Sequence, residues 1–362
     1  MPISREELPE EFFDITSAQL LVQPEPQYFY ASLFLQALAI ELGVPDSLGW
    51  RPVGGQGADY ASAESGRLML NGTNLPSELF AAKANFKGGP GHTLRFNRPR
   101  FTNSTYTEAA RQIGTNQTIS TVPITAGSEQ VKLTIKRLGG PYDSTNSRVA
   151  PYALDAFDAT MGVHNLAKFV GTHLKRDFHR LIDALMVLLA DNASATTYPE
   201  GMSADNDATA AGMFPLTYEQ MSRCAKQMDE ADLPTLGDGR RIFVATPTGK
   251  KQLKDDPQFA AYAEGHKETN PLFPSYFGST PEFHCFQSNT LTKTANSSSV
   301  DIHKGHAISP GVFMGGIGRA PSVRAASDDN YGETAKVIWL ADLALGLADN
   351  RFVRSVRYSE DA

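Results

Sequence analysis

Residues 152 to 190 read YALDAFDATMGVHNLAKFVGTHLKRDFHRLIDALMVLLA. Apolar side chains recur there at 154, 157, 161, 166, 169, 170, 174, 178, 181, 182, 185, 188 and 189, the three-or-four spacing that turns one stripe of an α-helix toward a core. Gly162 and Gly171 weaken the first half, since glycine inside a helix costs about 1 kcal/mol relative to alanine. The uninterrupted helix is therefore expected over 172 to 190, roughly 28 Å at 1.5 Å per residue. Its opposite face carries Lys168, Lys175, Arg176, Asp177, His179, Arg180 and Asp183. His173 and His179 fall on different faces, as solvated or interface side chains. Asp155 and Asp158 would share a face as an acid and a base might, but acidic residues near a helix start follow from the macrodipole alone.

Working toward the N-terminus, HTLRFNRPRF at 92 to 101 and EQVKLTIKRL at 129 to 138 partly alternate apolar with polar or basic residues, as half-exposed strands do. A long Thr-rich excursion separates them. Its tip carries little apolar surface, so the hairpin has no hydrophobic reason to fold back on its own domain and is expected to lie on a neighbour. Arg95, Arg98, Arg100, Lys132, Lys136 and Arg137 cluster at its base, where they form either a solvated face or a contact with acidic neighbours; on the second reading they are the candidate assembly residues. Before it, PQYFYASLFLQALAIELG at 26 to 43 is apolar on most sides and stops at Gly43, a buried helix with a glycine end. Residues 44 to 91 are glycine-rich and read as loops; residues 1 to 25, with Pro2, Pro9 and Pro24, read as an extended arm that needs a partner surface.

Toward the C-terminus, a spacer over 191 to 215 precedes Thr217-Tyr-Glu-Gln220, a capping box for a helix to about 230. RIFVAT at 241 to 246 is a buried-strand run, Pro247 suits the first turn of a helix, and EFHCFQ at 282 to 287 is another strand. KVIWLADLALGLADNRFVRSVRY, 336 to 358, reads as two strands broken near Ala348 to Asn350, with Trp339 and Phe352 as core candidates. Strands and helices mix without a regular alternating repeat, which is an α+β pattern.

The 362 residues exceed the size at which a single core stops growing, so two lobes are expected. Lys plus Arg number 33 against 40 Asp plus Glu, for a net charge of -7; a protein built to neutralise phosphates would lean basic. Cys224 and Cys285 are too few and too isolated for a disulfide framework and read as buried packers. The first residues lack the basic-then-apolar start of a secretory signal, and no run is long enough to span a membrane, so a cytosolic site of synthesis and no membrane partner are expected.

Chemistry is sparse. The chain has no Gly-x-Ser-x-Gly, His-Glu-x-x-His, Walker loop or Cys-x-x-Cys. Gly316-Ile-Gly318 begins a dinucleotide-like pattern, but Pro321 occupies the third glycine position and a turn is expected. His303 and His306 flank a Lys-Gly pair that suits a loop, and no carboxylate pattern completes a metal site. Neither a catalytic residue nor a cofactor or metal site is expected.

The Thr217 helix, RIFVATPTGKKQLKDDPQF (241 to 259), FPSYFGSTPEFHCFQSNTL (273 to 291) and DDNYGETAKVIWLADLALGLADNRFV (328 to 353) together resemble tailed-bacteriophage major capsid proteins of the Hong Kong 97 type fold. HTLRFNRPRF resembles the strand leading into the extended loop of such proteins, and 152 to 190 stands where their long spine helix does. The resemblance implies an N-terminal arm at 1–25, an N-terminal helix and loops of the peripheral region at 26–91, and an extended loop at 92–138. A peripheral domain at 139–192 and 336–362 and an axial domain at 193–335 complete it. It also implies self-assembly through pentamers and hexamers, with scaffolding, portal and decoration proteins as partners. The icosahedral shell would enclose double-stranded DNA without sequence-specific binding, as a virion capsid assembled in the host bacterial cytoplasm. Some relatives of this fold form a Lys-Asn isopeptide crosslink, for which Lys132 or Lys136 with Asn350 would serve. The rival expectations are an encapsulin-like shell around protein cargo, a soluble enzyme with a site around Gly311 to Gly318, and a tail or decoration protein that assembles as tubes or trimers.

Overall fold

The computed structural model describes residues 28–42, 69–70, 73–74, 79–83, 90–99, 128–143, 145, 148–155, 166–193, 195–209, 213–265, 275–327 and 334–359. The expected arm at 1 to 25, Gly43, Arg100 and the hairpin tip lie outside them.

Two helices build the centre. Helix α1, Phe29–Leu42, buries Tyr30, Leu33 and Phe34 completely, as its apolar composition requires. Helix α2, Leu166–Asp191, begins earlier than 172, and Gly171 lies inside it. The local cost of that glycine is offset by the row Leu174, Phe178, Ile182 and Met186, every one fully buried. Residues Tyr152–Asp155, expected at the helix start, form a strand instead, so Asp155 shares no helix face with Asp158, which lies outside the described residues.

Apart from two pairs of two-residue strands, Met69–Leu70 with Thr73–Asn74 and Tyr142–Asp143 with Arg148–Val149, the described strands in chain order are β1 (Phe80–Lys83), β2 (Thr93–Pro99), β3 (Ser128–Thr134), β4 (Lys136–Gly140), β5 (Tyr152–Asp155) and β6 (Ala195–Thr197), then β7 (Arg241–Ala245) and β8 (Tyr276–Ser279). They continue as β9 (Phe283–Gln287), β10 (Lys293–Ala295), β11 (Asp301–Ile308), β12 (Phe313–Ser327), β13 (Thr334–Leu347) and β14 (Val353–Ser359). A five-stranded sheet runs β1-β12-β13-β4, with β5 also on β13; a seven-stranded sheet runs β6-β14-β11-β7-β9-β8, with β10 on β11. The two C-terminal strands appear where the sequence puts them, but they part company: β13 stays with β12, and β14 crosses into the other sheet. The sheets thus exchange strands across the expected boundary at 335 and 336.

Three local expectations change. Gly316-Ile-Gly318 is strand, not turn; the register slips between Ile317 and Ser322, where Pro321 cannot donate to the ladder. His303 and His306 lie in β11, not a loop. Within 44 to 91, β1 pairs parallel with Phe313 to Gly316; four residues with no alternation leave no local signal.

The core has two main parts. Between α1, α2 and the sheets, Trp339 meets Phe178 edge-on at 5.0 Å and donates its indole N–H to Asp177 Oδ2 at 2.8 Å. Gly140 lies so close to Trp339 and Asp177 that no Cβ fits there. On the far side of the seven-stranded sheet pack helices α3 (Tyr218–Glu230), α4 (Pro247–Asp255) and α5 (Pro257–Gly265), with Met221, Met228, Phe243 and Phe283. Cys224 and Cys285 are both buried there as free thiols, the first pushed up to about 11 by burial.

The capping box is half made: Thr217 Oγ1 accepts from the Gln220 N–H, but the Gln220 amide donates to the Arg357 carbonyl instead of turning back. Thr246 caps α4, and its N–H and hydroxyl meet the Tyr358 hydroxyl at 3.0 and 2.7 Å, tying β14 to that helix start. Gly249 is required by the same contact, for a Cβ would stand 2.5 Å from the Tyr358 oxygen.

Candidate assembly surface and a buried polar seam

Strands β2 and β3 pair antiparallel from Thr93 opposite Thr134 to Pro99 opposite Ser128. The alternation seen in the sequence sorts their faces. Leu94 and Phe96 are buried, with Val131 and Leu133 partly so, against Met314, Ala344 and Ala348. Leu133 lies so close to Gly346 of β13 that a Cβ there would collide with it. The base of the hairpin therefore does pack on its own chain, contrary to the sequence expectation, because the inner positions carry more apolar surface than the tip composition suggested.

The six basic residues are only partly brought together. Arg95 and Lys132 are exposed and sit directly opposite each other on the outer face, two cations in register. Arg98 stands opposite Glu129 in the ladder. Lys136 and Arg137 belong to β4, in the five-stranded sheet, and not to the hairpin. Lys136 is exposed. Arg137 is committed internally: its Nε and Nη2 donate to Asp342 at 2.9 and 3.2 Å, and the carboxylate is only 4% exposed. Asn350 is exposed in the 3-10 turn between β13 and β14.

Between α1, α2 and β11 runs a chain of buried polar groups that sequence reading missed. Asp183 is fully buried, although the sequence places it on the outward face of α2. It accepts the Ala31 N–H at 2.9 Å, in the first turn of α1, where helix donors have no partner of their own. Thr290 donates to its other oxygen. Burial raises its pKa from 3.8 to about 7, against these hydrogen bonds. His179 is also buried rather than solvated.

One turn of sheet away, Tyr30 and His306 Nδ1 are 2.6 Å apart, and His306 Nε2 stands 2.9 Å from Asp191 Oδ1. Nε2–H donates to the Asp191 carboxylate, and Nδ1 shares a hydrogen bond with the tyrosine hydroxyl. Thr292 donates to Asp191 at 2.6 Å, and Lys304 approaches at 3.7 Å. Burial alone would raise Asp191, but the bonds from His306 and Thr292 and the nearby Lys304 hold it below its usual value. Burial pushes the Tyr30 hydroxyl well up. Every polar member faces a partner inside the chain, so the seam joins three elements and presents no reactive group to solvent. The one sequence signal was polar residues, Asp183 and His306, embedded in apolar runs.

Among the described residues no group of His, Cys, Asp and Glu could hold a metal ion, and no helix is long and apolar enough to cross a membrane. An open cavity of about 610 Å³ lies between Leu216, Glu219, Gln252 and Asp256, away from Gly311 to Gly318.

The architecture is the fold of tailed-phage capsid proteins, the α+β fold that the sequence resemblance implies. The chain matches the capsid of Ralstonia phage GP4 with a TM-score of 0.57 and 12% identity, over 80% of this chain and 92% of that one. The cyanophage Pam1 capsid gives 0.53 and 14%, over 78% and 88%. The capsid of cyanophage P-SCSP1u gives 0.51 and 13%, over 79% and 88%. No family model matches the sequence, and no curated protein matches it.

Proposed function

We propose that this chain is the major capsid protein of a tailed bacteriophage, a structural protein without catalytic activity that builds the shell around double-stranded DNA. The observation that carries the reading is that the fold match spans 88 to 92% of three phage capsid chains. Head-to-tail contacts around an axis close into rings, and pentamers and hexamers of one chain tile an icosahedron. Many modest interfaces then act together, so no single one need be large.

On this reading residues 1–25 are an arm, 92–138 an extended loop, 139–192 with 336–362 the peripheral lobe, and 193–335 the axial lobe, the sheets sharing strands between the last two. Arg95, Arg98, Arg100, Lys132 and Lys136 meet acidic surface on the next copy, while Arg137 fastens β4 to β13. The exposure of Lys132 and Lys136 on the described surface supports this. Scaffolding, portal and decoration proteins are the expected partners, in the cytoplasm of the host and in the virion. Sedimentation velocity of the chain expressed alone and with an adjacent scaffold gene tests the proposal. Ring-sized or shell-sized species are expected; monomers or dimers in both samples would reject it.

A further inference from the structure

The turn that feeds β7 carries the one Asp-Gly bond of the sequence, Asp238–Gly239. Leu236 closes that turn twice: its N–H donates to the Arg240 carbonyl at 2.7 Å, and its carbonyl accepts from the Gly239 N–H at 2.9 Å. Gly239 sits at φ +82°, a left-handed conformation that side chains rarely adopt, so the turn requires glycine there. The same requirement exposes the bond to a reaction. With no side chain at 239 to obstruct ring closure, the Gly239 nitrogen can attack Cγ of Asp238. The N–Cγ bond forms, a Cγ–O bond breaks, and the amide hydrogen leaves with the carboxyl OH as water. Water then reopens the succinimide at either carbonyl, returning aspartate or routing the backbone through Cγ as isoaspartate.

Ring closure needs nitrogen and Cγ in a near-attack arrangement, and three contacts oppose it. The Gly239 N–H is committed to Leu236. Asp238 Oδ1 accepts the Arg240 N–H at 3.1 Å, and Oδ2 accepts from His284 Nε2 at 2.6 Å. His284 is completely buried in β9, so its ring cannot follow the carboxylate as it swings toward the nitrogen. Burial alone would raise the Asp238 pKa, but these two bonds and the charges of His284 and Arg240 hold it below its usual value. An ionised carboxylate is the poorer electrophile, because it has no neutral OH to release. Isoaspartate here would lengthen the backbone by one carbon just before Arg241, whose pairing with Phe283 opens the β7–β9 ladder. We propose that Asp238–Gly239 is a site of spontaneous isoaspartate formation and that the hydrogen bond from His284 is the brake on it. This holds whether or not the chain builds a shell.

The experiment ages the full chain at neutral pH and locates isoaspartate in the tryptic peptide Gln227–Arg240 by electron-transfer fragmentation. His284→Leu, which removes the donor, should raise the rate at Asp238 several-fold. His284→Gln, whose side-chain amide can donate in its place, should restore most of the brake. Asn71–Gly72, the one Asn-Gly bond of the sequence, is the reference in each digest and should keep its rate. Equal rates at Asp238 in the parent and both variants would overturn the proposal. A rise in His284→Leu that is matched at Asn71 would also overturn it, since that reports general loosening. An equal rise in His284→Gln would assign the protection to packing and not to the bond. If His284→Leu does not fold, the parent decides: accumulation at Asp238 as fast in the folded chain as in urea overturns the proposal, and accumulation several-fold slower supports it.

Discussion

The seam around Asp183 and His306 and the outer face of the β2-β3 hairpin are both polar, yet they are polar in opposite ways. In the seam each donor and acceptor finds its partner within the same chain: Ala31 and Thr290 on Asp183, Tyr30 and Asp191 on His306. The partners come from α1, α2, β11 and the turn after β9. On the hairpin, the inner side chains are anchored on β13 while Arg95 and Lys132 point outward side by side. On the proposed reading, the difference separates residues that hold one molecule together from residues that meet a neighbouring copy. Stability and assembly should therefore be separable by mutation.

The sharpest attempt to break that separation is deletion of 103 to 127. Shells should be lost while the unassembled chain keeps its thermal midpoint, checked by electron microscopy and calorimetry; normal shells would show that the excursion is not an assembly element. Next in size is the interior. Trp339→Ala should cost about 3–5 kcal/mol in urea unfolding of the unassembled chain, because the ring is fully buried against Phe178 and its N–H is bonded to Asp177. A loss under about 1 kcal/mol would mean that the site collapses around the gap.

The seam gives a pH test with a definite sign. Burial raises Asp183 from 3.8 to about 7, so its contribution to stability is complete below about pH 4 and is lost as pH rises through 7. Asp183→Asn removes that slope: the variant should gain over the parent at pH 8, by an amount on the order of 1 to a few kcal/mol, and lose the advantage at pH 4. Asp191, held low by His306, Thr292 and Lys304, titrates below this window and leaves the comparison clean. Parallel unfolding curves for parent and variant between pH 4 and 8 would show that Asp183 is not perturbed as described. The smallest effect on stability is expected for Lys132→Glu, whose side chain is exposed; its thermal midpoint should be unchanged while shell yield falls.

The long helix, the apolar α1, the paired hairpin strands and the broken C-terminal pair were legible because each carries a local period or a local punctuation mark. What escaped reading was non-local. Strand β1 exists because residues 313 to 316 pair with it across the chain. Asp183 reads as surface by helical spacing, and becomes core only when the start of α1 arrives to use its oxygen. Arg137 looks like its basic neighbours at the hairpin base until β13 places Asp342 opposite it.

Negative-stain electron microscopy of the chain, produced alone and with any adjacent scaffold gene, tests the central claim most directly. Closed shells or five- and six-membered rings are predicted in at least one sample. A uniform field of monomers or small discrete oligomers in both would contradict it.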